Sequence, residues 1–251
     1  MFYSLNEGLA HFVFWDSEAY WSQPVDSQVA MINWLTADLA AANKNRDTVP
    51  WVIGLAHKGW WMEDTIAPPS GAGAIVWQIL NEGGVDFHIV GHIHYVSLSS
   101  PSILSTSYFY LTQTLESFLT FEQYARDYSQ YPNAANGTGV VDKDCASANL
   151  GNATNPSAIY TDCKYMTTIV CAAPGDQEVN AKHHETLTAP QDGVTSTSNY
   201  GFSYLQIVNA THLHWTFTTA VPHVNSTAPG YTDELWYVVN QHGPRTNLPP
   251  V

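Results

Sequence analysis

The stretch Val85-Asp86-Phe87-His88-Ile89-Val90-Gly91-His92-Ile93-His94 decides the fold. Its first six residues are a short, largely apolar run that predicts a buried strand, and Gly91 permits a tight turn directly after that strand. In open α/β sheets, sites form outside the carboxyl ends of the strands, which is where His92 and His94 fall. Neutral imidazole is a common ligand for zinc and iron, so this strand end is a candidate metal site.

The segments upstream of this stretch alternate between strand and helix patterns. Residues 9–15 and 51–56 are apolar runs that predict two further strands. A helix is expected from about residue 27 to 43, capped by Asp26 or Ser27, with apolar residues at helical spacing at Val29, Ile32, Leu35 and Leu39.

A second helix is expected between the second and third of these strands. Its apolar positions are Ile75, Val76, Ile79 and Leu80, and Gly83-Gly84 should end it. The alternation of three strands with two helices predicts an α/β core.

A third histidine stands in the same situation as the first two. The strand at residues 51–56 runs directly into His57, one strand-helix unit before His92 and His94. Three histidines at two strand ends are expected to converge on one metal site. The alternative is that they are ordinary polar residues at strand ends.

The downstream half of the chain has a different character. Residues from about 105 to 160 are rich in Tyr, Ser, Asn and Gly, and we interpret them as an insertion in a single domain that spans residues 1–251. Residues 165–174 and 201–218 have strand patterns, and a C-terminal tail begins at about residue 221.

The charge balance of the chain restricts its partners. The formal net charge is −14, from 22 acidic and 8 basic residues. Such a chain repels nucleic acid and anionic membrane surfaces, so neither is expected as a partner. A phosphate ester would also be repelled unless metal cations or local positive charge lay at its site. No apolar run reaches the roughly 18 residues that a membrane span needs.

Sequons and cysteines bear on the compartment of the protein. Four Asn-X-Thr sequons favour secretion and glycosylation, at Asn136, Asn152, Asn209 and Asn225. Cys145 and Cys163 lie in a polar stretch and either form a disulfide or remain reduced. Cys171 lies in an apolar run that predicts a buried thiol.

The ordered set of these motifs resembles the second half of the calcineurin-like metallophosphoesterases, and more narrowly the purple acid phosphatases. The resemblance is carried by Tyr3-Ser4-Leu5 with His11-Phe12-Val13, by Asn33-Trp34-Leu35, by the strand before His57, and by Gly91-His92-Ile93-His94. Near the end of the chain, Asn199-Tyr200-Gly201-Phe202, Asn209-Ala210-Thr211-His212 and Gln241-His242-Gly243-Pro244 are also similar to that family. Most of residues 1–110 and 165–245 are covered.

The resemblance implies a β-sandwich of the metallophosphoesterase type, of mixed α/β (α+β) class and flanked by helices, that lacks the family's N-terminal half. It also implies a binuclear centre of Fe(III) with a second divalent metal, which is Zn, Mn or Fe. By position, His57 and His92 would bind the divalent metal and His94 would bind the iron. The implied activity is that of a hydrolase, an acid phosphatase that cleaves phosphomonoesters. The expected location is secreted, or vacuolar or lysosomal.

The chain also departs from that family. The remaining family ligands come from earlier motifs, among them a Gly-Asn-His motif, and none of these motifs occurs here. The continuations after His57 and His94 also differ from the family pattern. Lys58, directly after His57, is a candidate phosphate contact, although a solvated lysine is the ordinary interpretation.

Three hypotheses follow. The chain is an incomplete fragment of an active secreted acid phosphatase, or a diverged or truncated secreted glycoprotein of the same fold without catalysis, or a related nucleotidase or phosphodiesterase. If half of a sandwich is missing, an apolar face and strand edges are uncovered. In that case we expect the isolated chain to aggregate, to dimerise or to associate with the missing N-terminal segment.

Overall fold

The computed structural model describes residues 1–19, 24–58, 72–91, 124–132, 139–142, 145, 151, 157–171, 195–197, 201–219, 232–246 and 248. The helices in these ranges are α1 (Val25–Asn43) and α2 (Ala72–Glu82). The first six strands are β1 (Tyr3–Glu7), β2 (Ala10–Phe14), β3 (Trp51–Ala56), β4 (Phe87–Val90), β5 (Tyr124–Pro132) and β6 (Gly139–Asp142). The remaining strands are β7 (Ser157–Thr161), β8 (Thr167–Cys171), β9 (Thr195–Thr197), β10 (Gly201–Ile207), β11 (His212–Thr219) and β12 (Thr232–Val238).

The larger sheet carries the strands that were predicted around the candidate site. Its order is β1-β2-β3-β4-β8-β5-β6, and β9 pairs with β5. Strands β2, β3, β4 and β8 are parallel neighbours. The carboxyl ends of parallel strands lie at one edge of a sheet, and β3 and β4 end side by side there because Ala56 is in register with Val90.

The smaller sheet has the order β10-β11-β12-β7. Strands β10, β11 and β12 form an antiparallel meander, and β7 joins β12 in parallel. Along β12, buried and half-buried residues alternate, so one face of this sheet is turned towards the core.

Two apolar layers hold the sheets and helices together. One lies between the sheets, where Trp51, Ile53 and Phe87 of the larger sheet pack with Trp215 and Tyr237 of the smaller sheet. The other lies between the larger sheet and the helices, and it consists mainly of Val13, Trp15, Met31, Leu35, Leu39, Val52, Val76, Trp77, Leu80, Val85 and Met166. The α/β core that the sequence pattern predicts and the sandwich that the resemblance implies are therefore both confirmed.

Helix α1 differs in detail from its prediction. It begins at Val25, with Pro24 at the N-cap position and no side-chain cap hydrogen bond, so neither Asp26 nor Ser27 is the cap. Asp26 lies instead in the first turn, where a negative charge interacts favourably with the helix dipole. The buried stripe includes Leu35 as predicted, but Val29 is exposed.

The range from about 105 to 160 and the tail from about 221 both contribute strands to the sheets. Strands β5 and β6 extend the larger sheet, and β7 and β12 are neighbours in the smaller sheet. Cys145 and Cys163 are joined by a disulfide, with their Cα atoms 5.0 Å apart. Cys171 is partly buried and free, and its thiol lies 3.2 Å from the Ser203 hydroxyl.

A buried carboxylate lies at the beginning of β4. Asp86 Oδ2 accepts hydrogen bonds from Arg46 Nη1 at 2.7 Å and from the Val52 amide at 2.9 Å. On the other side, His242 Nδ1 lies 3.1 Å from Asp86 Oδ1. Burial alone would raise the pKa of Asp86, but the neighbouring His242, Arg46 and Arg245 outweigh burial and hold that pKa below its usual value.

Replacement of Asp86 by Asn should destabilise the fold strongly. The variant keeps the size of the side chain but leaves the guanidinium of Arg46 buried without its counter-charge, which typically costs about 3 kcal/mol or more. The free energy of unfolding in urea at pH 7 measures this loss. The matched control is Glu82→Gln, because Glu82 is exposed and its side chain accepts a hydrogen bond from Gln78 on the same helix. Equal losses in the two variants would contradict a structural role for the buried pair.

Candidate metal centre

His57 lies at the carboxyl end of β3, and its side chain is exposed. Its carbonyl oxygen accepts a hydrogen bond from the Gly91 amide at 3.0 Å. A Cβ atom built on Gly91 would lie 4.0 Å from His57 Nδ1. The ring of His57 is therefore adjacent to the residue that immediately precedes His92.

The other two candidate ligands, His92 and His94, lie outside the described residues. Among the residues that the structure does describe, no group of three or more His, Cys, Asp or Glu side chains is arranged to hold a metal ion. The convergence of His57 with His92 and His94 stays a prediction.

Two residues that follow β2, Ser17 and Glu18, contact Lys58, which is the neighbour of His57 in the chain. The Ser17 hydroxyl accepts a hydrogen bond from the Lys58 amide at 3.0 Å, and Glu18 Oε2 lies 3.1 Å from Lys58 Nζ. Sequence reasoning missed Ser17 and Glu18 because their partner is about 40 residues away. One indication of this contact was present in the sequence, which is that Ser17 and Glu18 follow the end of a predicted strand, as His57 does.

A buried histidine lies on β4 beneath this edge. His88 Nε2 accepts a hydrogen bond from Trp15 Nε1 at 3.0 Å, and Trp77 packs edge-on against the ring at 4.8 Å. A Cβ atom at Gly54 would lie 2.6 Å from His88 Cδ2, so the imidazole occupies the space that the glycine leaves. Burial lowers the pKa of His88 to about 3, which keeps the ring neutral.

Ser4, Asp38 and His11 form a hydrogen-bonded cluster, but its order does not suit a catalytic serine activated by a histidine base. Ser4 donates to Asp38 Oδ1 at 2.6 Å, and His11 Nε2 lies 2.8 Å from Asp38 Oδ2, so the carboxylate separates the hydroxyl from the ring. A serine nucleophile needs the reverse order, with the imidazole in contact with the hydroxyl. This cluster ties the β1–β2 hairpin to α1.

The remaining described histidines also have structural partners. His212 Nδ1 lies 2.8 Å from the Thr211 hydroxyl. His214 stacks on Trp236 with ring centroids 4.3 Å apart and pairs with Glu234 at 2.9 Å. No helix in the described part of the chain is long and apolar enough to cross a membrane.

Comparison with known families gives a match in the second half of the chain. Residues 165–227 match the family model described as "Iron/zinc purple acid phosphatase-like protein C". The matched range contains β8, β9, β10 and β11, and it includes the stretch from Asn199 on which the resemblance rested. The match confirms the resemblance of this part of the chain to the C-terminal region of purple acid phosphatases. No curated protein matches the chain.

One solved structure shows a likeness of fold over most of the chain. The structure of a purple acid phosphatase, PPD1 from yellow lupin (Lupinus luteus) seeds, matches 93% of this chain at 14% identity with a TM-score of 0.50. The structure of GAP50, described as the anchor in the inner membrane complex of Plasmodium, matches 92% at 13% identity with a TM-score of 0.43. The chain spans 32% of the length of the lupin structure and 52% of the GAP50 structure.

The buried His88 should make the stability of the protein fall in acid. Its pKa in the folded protein is about 3 against an ordinary value of 6.5, so the unfolded chain takes up a proton first as the pH falls. Stability is therefore lost progressively below about pH 6.5, by roughly 3 kcal/mol at pH 4. In His88→Phe, the lost hydrogen bond from Trp15 should destabilise the fold at pH 7 by about 1 kcal/mol, while the acid loss at this site disappears.

Urea unfolding at pH 7 and pH 4 checks this expectation. The stability gap between the native protein and His88→Phe should shrink or reverse at the lower pH. Leu39→Ala is the control, because it removes a buried side chain without a titratable group and should remain below the native protein by the same amount at both pH values. A gap of constant size for His88→Phe would show that the ring does not titrate as described.

Proposed function

We propose that this chain is the C-terminal part of a metal-dependent acid phosphatase that hydrolyses phosphomonoesters. The observation that carries the proposal is the hydrogen bond between Gly91 and His57, which joins the ends of β3 and β4. It brings the His57 imidazole next to the point where the chain continues into His92 and His94. The family match at residues 165–227 and the fold likeness to a purple acid phosphatase support the same assignment.

The donor set suits the metals that the family implies. His57, His92 and His94 would hold Fe(III) and a second divalent ion, Zn, Mn or Fe, together with ligands from outside this chain. A metal pair of this kind activates water and stabilises the charge that develops on a phosphoryl group. Of the three histidines, the structure describes His57. Its side chain is exposed at the end of β3, as a metal ligand requires, and its carbonyl oxygen is held by the Gly91 amide.

The negative charge of the chain means that the metal ions must also attract the phosphate. With a net charge of −14, the protein repels a phosphate ester at long range. Lys58 lies at the site edge, but its ammonium group is paired with Glu18 at 3.1 Å, which offsets most of its positive charge. We infer that the metal ions supply the main attraction for the phosphate and that Lys58 is a secondary contact.

Replacement of His57 or His92 by Ala should remove metal and activity together. In the protein purified from its native source, we expect iron and a second metal at about one each per chain by elemental analysis. Each histidine variant should contain less metal and hydrolyse p-nitrophenyl phosphate more slowly by orders of magnitude, because a ligand is missing. His214→Ala, on the outer face of the smaller sheet, is the control. Near-normal turnover without His92 would exclude it as a ligand.

We also propose that the protein is a secreted glycoprotein, modified at Asn209. The sequon Asn209-Ala210-Thr211 lies in the exposed turn between β10 and β11. Asn209 Oδ1 accepts hydrogen bonds from the Thr211 amide and hydroxyl at 2.8 and 3.1 Å. Its amide nitrogen therefore does not have to leave a buried position to be modified. The sequons at Asn136, Asn152 and Asn225 lie outside the described residues.

Glycosylation at Asn209 is testable by mass. The secreted protein should lose one glycan in Thr211→Ala, because the sequon needs Ser or Thr at that position. Treatment with peptide-N-glycosidase should convert Asn209 to Asp in the native protein but not in this variant. An unmodified Asn209 in peptides from the secreted protein would refute the assignment.

A further inference from the structure

A single peptide unit follows β3 and is held at both of its polar atoms. Its carbonyl oxygen belongs to His57 and accepts from the Gly91 amide at 3.0 Å. Its N–H group belongs to Lys58 and donates to the Ser17 hydroxyl at 3.0 Å. The peptide therefore bridges the end of β2 on one side and the end of β4 on the other.

The contact from β2 has the properties of a fixed support. Ser17 is only 4% exposed, so its hydroxyl does not exchange freely between the Lys58 amide and solvent. The next residue, Glu18, reaches the Lys58 ammonium at 3.1 Å, so the same turn holds the lysine at its backbone and at its side chain. Trp15 fixes the approach of this turn, because its amide donates to the Leu55 carbonyl at 3.1 Å.

We propose that Ser17 is a positioning residue for the candidate metal centre and that it acts through the His57–Lys58 peptide. The inference rests on the proposed metal-binding function. A peptide that is held at both ends fixes the direction in which the His57 side chain leaves the backbone. The imidazole then needs no ordering of its main chain when it binds a metal ion, and this preorganisation raises affinity. Replacement of a residue that orients a metal ligand typically lowers the metal affinity by about 10- to 100-fold.

Zinc alone is a suitable probe, because three imidazoles can hold Zn²⁺. The affinity of the full chain for Zn²⁺ is measured by competition with a chromophoric chelator. The Ser17→Ala variant should bind Zn²⁺ about tenfold more weakly, because the Lys58 amide loses its acceptor. Ser17→Thr keeps the hydroxyl and should restore the affinity to within about twofold.

The matched control is Ser4→Ala, which also removes a part-buried serine hydroxyl from the same sheet, here from Asp38. It should leave the zinc affinity unchanged. A second measurement needs no metal. Hydrogen exchange of the Lys58 amide should be about tenfold faster in Ser17→Ala than in the unchanged chain, and Ser4→Ala should have no such effect.

The outcomes separate the two ideas. If the unchanged chain binds Zn²⁺ and Ser17→Ala binds it equally well with the same Lys58 exchange, the positioning role of Ser17 is wrong while the metal centre stands. If the unchanged chain binds no Zn²⁺ and His57→Ala behaves identically, the three histidines form no metal site in this chain, and the role of Ser17 in metal binding is wrong with it. Three results together support both the metal centre and the positioning role of Ser17. Zn²⁺ binding is weaker in Ser17→Ala, it is restored in Ser17→Thr, and it is unchanged in Ser4→Ala.

Discussion

The buried carboxylate of Asp86 is the constraint on which the rest of the structure depends. It fixes the start of β4 to β3 through the Val52 amide, and it neutralises Arg46. Arg46 in turn donates to the carbonyl oxygens of Pro50 and Gly84, so it closes the turns before β3 and before β4. Because β4 has only four residues, its register at Asp86 also determines where its other end emerges beside β3. The anchor and the candidate site are the two ends of one short strand.

The same carboxylate explains why the C-terminal segment lies where it does. His242 approaches Asp86 at 3.1 Å, and Arg245 donates to the Val85 carbonyl at 2.7 Å. Gly84 has a positive φ of 75°, and a Cβ atom there would lie 2.3 Å from the Gly243 carbonyl oxygen. The glycine is needed for the turn and for the close approach of the two backbones. The C-terminal segment therefore covers the start of β4, whereas the candidate metal centre is at the other end of this strand.

Much of the architecture was predictable from the sequence, and the failures have physical causes. The strands around His57 and the end of α2 at Gly83-Gly84 follow from short apolar runs and from glycine as a helix stop, which are local signals. The start of α1 was misplaced because Pro24 fixes its own backbone without a side-chain cap. At the site, His57 was found from its strand end, whereas Ser17 was missed. The contact of its hydroxyl with the Lys58 amide follows from the pairing of β2 with β3 and from no local pattern.

Two of the buried titratable groups, His88 and Asp86, bear on how the stability of this core changes in acid. Between about pH 6.5 and pH 4, the neutral His88 reduces stability, and at pH 5 the loss is about 2 kcal/mol. Asp86 does not add to that loss, because its pKa is held below 3.8 and its charge persists in this range. Folded domains are typically stable by about 5 to 15 kcal/mol, so a loss of this size is tolerated. Below about pH 4, the unfolded chain also takes up protons at Asp86, and both groups then oppose folding. The core is therefore compatible with mildly acidic conditions, in which Asp86 keeps its charge.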